Sequence, residues 1–294
     1  MKHATIEETA AGTRSPTLVG LHIPKCAGSS LLRMAERGLP PTQLYQNTSF
    51  HKNFAQGRPE FFEIRNVAAL RFIWGHFVHE EMLKYVEQPF LFTYLRDPEE
   101  RLKSNYRFLS RHKANLGQSI DPWHVWVEKT PKNPICQFIV DRFPTFAGTG
   151  GLLDRAQNVL RVFDFVGFTE NFAETAPHLL ELSGVHAPVL RENTTAPSET
   201  PLVIPDGYLT LDQALYDWAR DQANSELPRN RKQPNTALAA FLKTPAKEAF
   251  LRDWMAQKLA REYRDFNITD PAAQHHRGAQ LWHKTILSHL GSVA

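Results

Sequence analysis

The segment TLVGLHI, residues 17–23, constrains this chain most. It carries no Asp, Glu, Lys or Arg and is too short for an ordinary helix, so it reads as a short buried strand. It runs directly into Pro24-Lys25-Cys26-Ala27-Gly28-Ser29-Ser30 and then into LLRMAERG, a helical pattern that stops at Gly38. The same order recurs along the chain. RFIWGH (71–76) reads as a strand before the helical pattern FVHEEMLKYV. FLFTYL (90–95) precedes RDPEERLKSNYRFLSRH, and VFDFVGF (162–168) precedes TENFAETAPHLLELSG. APVL (187–190) reads as a fifth short strand. Strands alternating with helices predict an α/β fold, with a central parallel sheet flanked by helices in three layers. In such sheets ligands bind beyond the carboxyl ends of the strands. The residues with chemistry to offer fall at those ends.

The rest of the chain divides around this core. Residues 1–16 are polar and read as a flexible tail, so the α/β domain is expected over 17–222. RENTTAPSETPLVIPD (191–206) has loop composition, and TLDQALYDWARDQ (210–222) is helical. A polar linker with Pro228 and Pro234 follows, then amphipathic patterns over 237–265 and 273–290. Residues 223–294 therefore read as a helical C-terminal extension, with 11 Lys/Arg against 6 Asp/Glu. Hydrophobic residues make up 42% of the chain, enough for a sizeable core. A net charge of +3 gives no reason to expect a nucleic-acid partner. Two cysteines, Cys26 and Cys136, exclude a disulfide scaffold or a Cys-rich zinc module. No apolar run reaches transmembrane length, and the start has no apolar signal core. A cytoplasmic protein without a membrane anchor is expected.

Two motifs carry the chemistry. The turn Lys25 to Ser30 sets a helix start beyond a strand, where unpaired N–H groups and the helix dipole favour an anion. Gly28 permits close approach, Ser29 and Ser30 add hydroxyl donors, and Lys25 adds a charge. It differs from the nucleotide loop GxxxxGK[ST], because here the Lys precedes the Gly. The second motif is Leu95-Arg96-Asp97-Pro98-Glu99-Glu100, continuing to Ser104. Asp97, Pro98 and Glu100 have the spacing of a helix start, with Asp97 as N-cap. Arg96 at the strand end can clamp a phosphate, or can pair with a local carboxylate. Leu102, Tyr106 and Leu109 form an apolar stripe from which Ser104 points away.

Other residues are read more simply. His76 ends the second of these strands and has the chemistry of a general base near neutral pH. His79 could share a helix face with it, but no third residue completes a metal site, so no metal is expected. Trp123, Trp126 and Val127 have helical spacing and are expected to bury, although a Trp face can also stack on a sugar or adenine. Cys26 beside a helix start could have a lowered thiol pKa, or could be a small residue tolerated in the loop.

The order strand–HIPKCAGSS–helix, strand–GHF, strand–LRDPEERLKSNY–helix resembles the carbohydrate sulfotransferases, in particular bacterial relatives of the heparan sulfate 2-O- and 6-O-sulfotransferases. The resemblance covers roughly residues 17–222 and implies a P-loop-like fold and the co-substrate 3′-phosphoadenosine 5′-phosphosulfate. It implies that Lys25, Cys26, Ala27, Gly28, Ser29 and Ser30 hold the 5′-phosphosulfate, with Cys26 where Thr is frequent. Arg96 and Ser104 would hold the 3′-phosphate, and Lys25 would stabilise the leaving phosphate. His76 would be the base, and Asn193, Thr194 and Thr195 would lie in a loop closing over the nucleotide. Asn133 in KNPICQFIVDRF resembles a family helix that often has an Arg near position 137, absent here. The implied acceptor is a hydroxyl of a carbohydrate or small natural product, and the implied setting is bacterial. Two alternatives stay open: a P-loop kinase or other phosphotransferase, and a non-catalytic nucleotide or anionic-glycan binder.

Overall fold

A computed structural model describes residues 15–47, 67–189, 202–223 and 235–244. A five-stranded parallel sheet forms the middle layer: β1 (Thr17–Leu21), β2 (Leu44–Asn47), β3 (Phe72–Gly75), β4 (Pro89–Leu95) and β5 (Phe165–Phe168). Their order across the sheet is β2-β3-β1-β4-β5. Every residue of β1 is buried, as a central strand covered on both faces must be. Its carboxyl end is in register with both neighbours, Leu21 lying beside Gly75 on β3 and Thr93 on β4. The chain leaves β1 to one side and later returns to β4 on the other. This places a topological switch point, and hence a crevice, at the end of β1.

Helices cover the sheet: α1 (Gly28–Gly38), α2 (Pro98–Asn115), α3 (Trp123–Lys129), α4 (Pro134–Arg142), α5 (Pro144–Ala147), α6 (Leu152–Leu160), α7 (Phe172–Glu181), α8 (Thr210–Ala223) and α9 (Thr236–Leu242). In α1 the buried Leu31, Met34 and Ala35 repeat at three and four residues, which gives one core-facing stripe. In α2 the expected start is present, with the Asp97 carboxylate accepting the Glu100 N–H at 3.0 Å. Its apolar stripe rests on a second small core of Leu102, Val127, Tyr208 and Leu209, against which Trp123 and Trp126 pack. Ser104 lies off that stripe but is also buried, because the first turns of α2 are covered on two sides. Beyond Ser104 no residue of α2 is buried, so the rest of the helix stands clear of the core.

Three expectations are corrected. Residues 187–189 form no strand, and the fifth strand is instead β2, four residues whose partner is β3. The segment after β3 is a 3-10 helix, Glu80–Tyr85, in place of an α-helix. Its three-residue repeat stacks Glu81 on Lys84, which pair at 2.9 Å with both side chains nearly buried. Buried Glu80 accepts the Thr145 N–H with both oxygens, at 3.0 and 2.9 Å. Finally, α9 falls within the expected extension yet joins the main core: Leu238 is 2% exposed and Phe241 packs on Phe146 at 4.8 Å. The further C-terminal patterns, beyond residue 244, lie outside the described residues. Among the described residues, no helix is long and apolar enough to cross a membrane.

Candidate functional site

The crevice is built first by the turn after β1. Lys25 (φ 73) and Ala27 (φ 55) are both left-handed without being glycine, at a cost of about 1 kcal/mol or more each. That double bend tightens the turn, with the Cys26 N–H donating to the Ile23 carbonyl at 3.2 Å, and opens α1 with no side-chain cap. Nor does the first turn of α1 carry an acidic residue. A helix start of this kind offers donors and positive potential to an anion. Gly28 is required here by a close approach. A Cβ on it would lie 1.8 Å from Nε2 of His22, so the imidazole rests directly on the loop.

Cations gather around the loop. Lys25 is partly buried, with Nζ 4.2 Å from the centre of the Phe108 ring. Burial, then the charges of Arg111 and Arg96, hold its ammonium below the usual range, opposed by Cys26. Arg96 sits at the end of β4 and reaches Glu100 at 3.7 Å, the local carboxylate pairing that its position allowed. Arg111 was not singled out in the sequence, being one of several basic residues on a helix. The signal that could have found it is spacing: Ser104, Phe108 and Arg111 are four and three residues apart, so they share one stripe of α2. Below the loop, buried Arg101 reaches the Pro24 carbonyl at 3.5 Å and leaves its Nε without a partner. Burial lowers its pKa, while Cys26 and Asp212 act against that shift.

Cys26 is buried in the same turn, and its Sγ lies 3.9 Å from the Pro24 carbonyl. Burial pushes its thiol up to about 12, against the charges of Arg101 and Arg96. The lowered thiol pKa considered from the sequence is therefore not found. Desolvation outweighs the helix start, and Cys26 is a packing residue.

The histidines complete the crevice on the β3 side. The His76 Nδ1 lies 2.6 Å from the His22 carbonyl oxygen. Because a carbonyl only accepts, Nδ1 carries the hydrogen, and the lone pair of the neutral ring is on Nε2. The two imidazoles stack, with centres 4.2 Å apart. Arg142 on α4 donates from Nε to the His76 carbonyl at 2.9 Å and so braces the backbone there. Burial first, then His76 and Lys25, hold His22 well below the ordinary histidine range. His79 has another task. Its Nδ1 accepts the Glu81 N–H at 3.3 Å and caps the 3-10 helix, so it does not share a helical face with His76. Burial and Arg142 bring its pKa down to about 3.

Other sequence candidates fall elsewhere. Trp123 and Trp126 are partly buried on α3, where they pack with Tyr106 at 5.2 Å each. A cleft of about 370 Å³ beside Trp126 is lined by Leu109, Lys113 and Asp121 among others. It lies on the Leu109 side of α2, away from the Ser104 stripe. Asn133 caps α8, its Oδ1 accepting from Leu211 and Asp212 at 2.9 and 3.3 Å. Asn193, Thr194 and Thr195 lie outside the described residues. The structure thus places Lys25 to Ser30, Arg96 and His76 at the carboxyl end of the sheet, with Ser104 on the α2 stripe that continues to Phe108 and Arg111, and adds Arg111 and His22. No protein-family model matches the chain, and no curated protein matches it either.

Proposed function

We propose that this protein is a sulfotransferase acting with 3′-phosphoadenosine 5′-phosphosulfate on a hydroxyl of a carbohydrate or small-molecule acceptor. One observation carries this reading. An uncapped helix start ringed by Lys25, Arg96 and Arg111 lies one imidazole's thickness from His76, whose lone pair is on Nε2. The residues present fit an anionic nucleotide: burial first, and then the charges of Arg111 and Arg96, hold Lys25 below its usual range, and a bound anion would relieve that charge crowding. The nucleotide supplies a sulfuryl group on a phosphate leaving group, so an acceptor oxygen gains a bond to sulfur as the S–O bond to the 5′-phosphate breaks.

The chain's own residues divide the work. The first-turn N–H groups of α1, with Ser29 and Ser30, hold the sulfate and phosphate oxygens. Lys25 neutralises charge on the departing phosphate, the preorganised stabilisation that such transfers depend on most. Arg96 and Ser104 hold the 3′-phosphate and fix the register. Nε2 of His76 accepts the acceptor's hydroxyl proton. Asp97 is the carboxylate at the end of β4 that a metal–nucleotide reading could use, and its Oδ1 is engaged as the α2 cap. That supports sulfuryl transfer over a kinase-like phosphoryl transfer.

The test is thermal shift followed by turnover. Adenosine 3′,5′-bisphosphate is expected to raise the melting temperature, by about 2.7 kcal/mol of added stability at a hundred times its Kd. Stabilisation by ATP–Mg²⁺ alone would instead point to phosphoryl transfer. In a labelled-sulfate transfer screen over glycans and small alcohols, His76→Ala is expected to lose about 10²–10⁴-fold in rate while still binding the bisphosphate. Turnover unchanged in His76→Ala would remove the base assignment. Bisphosphate binding with no transfer to any acceptor would favour a binding protein.

A further inference from the structure

We propose that His22 is a positioning residue for His76: its carbonyl oxygen takes the Nδ1 hydrogen of His76, and its ring, wedged between Trp74, His76 and Gly28, couples the anion loop to that imidazole. This rests on the reading of His76 as the proton acceptor and deepens it.

The coupling begins in the core. Gly20 on β1 lies in register with Trp74 on β3 and Phe92 on β4. A Cβ at Gly20 would come within 2.2 Å of Trp74 and 2.3 Å of Phe92, so its absence lets the two rings meet across β1. They stack at 5.2 Å with 7° between planes. His22 continues the stack on Trp74 at 4.9 Å and 17°, and His76 follows at 4.2 Å and 21°. Phe92 and Trp74 are essentially inaccessible, so the lower part of this column cannot tilt without opening the core. His22 and His76 are both partly exposed and form the crevice end of the column.

Two further contacts make His22 the joint. Its ring fills the space a Gly28 side chain would occupy, so displacement of the first turn of α1 moves the ring. Its carbonyl holds His76 Nδ1 at 2.6 Å, so the same residue sets both the plane and the tautomer of His76. The charged groups facing the pair are Lys25 from the loop and Arg142 from α4, whose guanidinium holds the His76 carbonyl. Burial keeps His22 neutral, so it does not compete for the proton that His76 is to receive.

The experiment uses the full chain labelled with ¹⁵N at histidine. Long-range ¹⁵N–¹H spectra report which nitrogen of His76 carries hydrogen, without any acceptor or turnover. The wild type is expected to show His76 with hydrogen on Nδ1 and lone pair on Nε2. His22→Leu fills the volume without a flat ring and is expected to give mixed tautomers, with kcat lower by up to about 10²-fold and little change in nucleotide KM. His22→Phe restores the flat ring, the backbone carbonyl being present in both variants, and is expected to recover the wild-type pattern. Gly28→Ala is expected to disturb His76 through His22. Wild-type spectra in His22→Leu, or mixed tautomers in His22→Phe, would overturn the proposal. If the Leu variant does not fold, the Phe variant alone decides by the same criterion. His76 tautomers that follow His22 in a protein with no sulfuryl transfer would leave the positioning role standing and remove only the reaction.

Discussion

Two helices in this molecule start the same way and end up with different partners. Both α1 and α4 are entered through a left-handed residue that is not glycine: Ala27 with φ 55 and Asn133 with φ 49. Neither residue caps its own helix. At α4 the protein supplies the missing acceptor. Asp212, 1% exposed, takes the Ile135 and Cys136 N–H groups at 2.9 and 2.8 Å, while Asn133 caps α8 in return. At α1 the N-cap residue, Ala27, has no side-chain acceptor, the first turn carries no acidic residue, and the cations Arg111 and Arg96 act on Lys25. The physics of the two starts is the same: first-turn N–H groups with no acceptor inside their own helix, and positive potential. One is closed from within and locks two helices together. The other keeps its donors directed at the crevice, which is what a site for an anion requires.

The largest test of that contrast is to open the closed start. Asp212→Ala leaves two buried N–H groups unpaired and strips Arg101 of a counter-charge, so denaturant unfolding should show a loss of about 3 kcal/mol or more. Asp212→Asn keeps one acceptor and should recover part of it. A loss below about 1 kcal/mol would mean that the α4 start is not held as described. The next test is to close the open start. Ser29→Asp puts a carboxylate in the first turn of α1, at an exposed position. It should weaken adenosine 3′,5′-bisphosphate binding about tenfold or more while adding about 0.3–1 kcal/mol of stability through the helix dipole. Unchanged affinity in calorimetry would place the ligand elsewhere.

At neutral pH no effect is expected from the last test, which concerns a third start, the 3-10 helix capped by His79. Its folded pKa of about 3 lies below the ordinary 6.5, so between those values the unfolded chain binds the proton and the folded chain does not. The contribution is fully present above 6.5 and is lost as pH falls from there towards 3. His79→Asn keeps an acceptor for Glu81 but cannot titrate. Its melting temperature should match the wild type at pH 7.5 and fall less steeply between pH 6.5 and 4. Parallel curves would show that His79 does not contribute to acid destabilisation.

How much of this could be read from sequence varies by element. The strands β1, β3 and β4 and the Asp97 cap of α2 were legible because their signals are local: an apolar run, or an acceptor three residues before its donor. The fourth apolar run, 162–168, was legible but too long. Only Phe165–Phe168 pairs with β4, because the Val162 and Phe163 N–H groups turn back to the Val159 and Leu160 carbonyls at the end of α6. β2 was not legible, since LYQN has no alternation and owes its conformation to β3. His79 was visible as a histidine but not as a cap, because the 3-10 turn that it caps is tied through Glu80 to Thr145, 65 residues away.

Local residue patterns were enough to specify the alternation of strand and helix, the turn at Lys25 to Ser30 between a strand and a helix, and the arginine and histidine at strand ends. These depend on contacts within a few residues, where side-chain type and spacing are sufficient. Long-range packing set His22 between Gly28 and His76, brought Asp212 to close α4, and joined Arg111 to Lys25 and Arg96. The Asp212 and His76 hydrogen bonds span 77 and 54 residues, and such pairs are set by the packing of the sheet and its helices. No local pattern of residues encodes them.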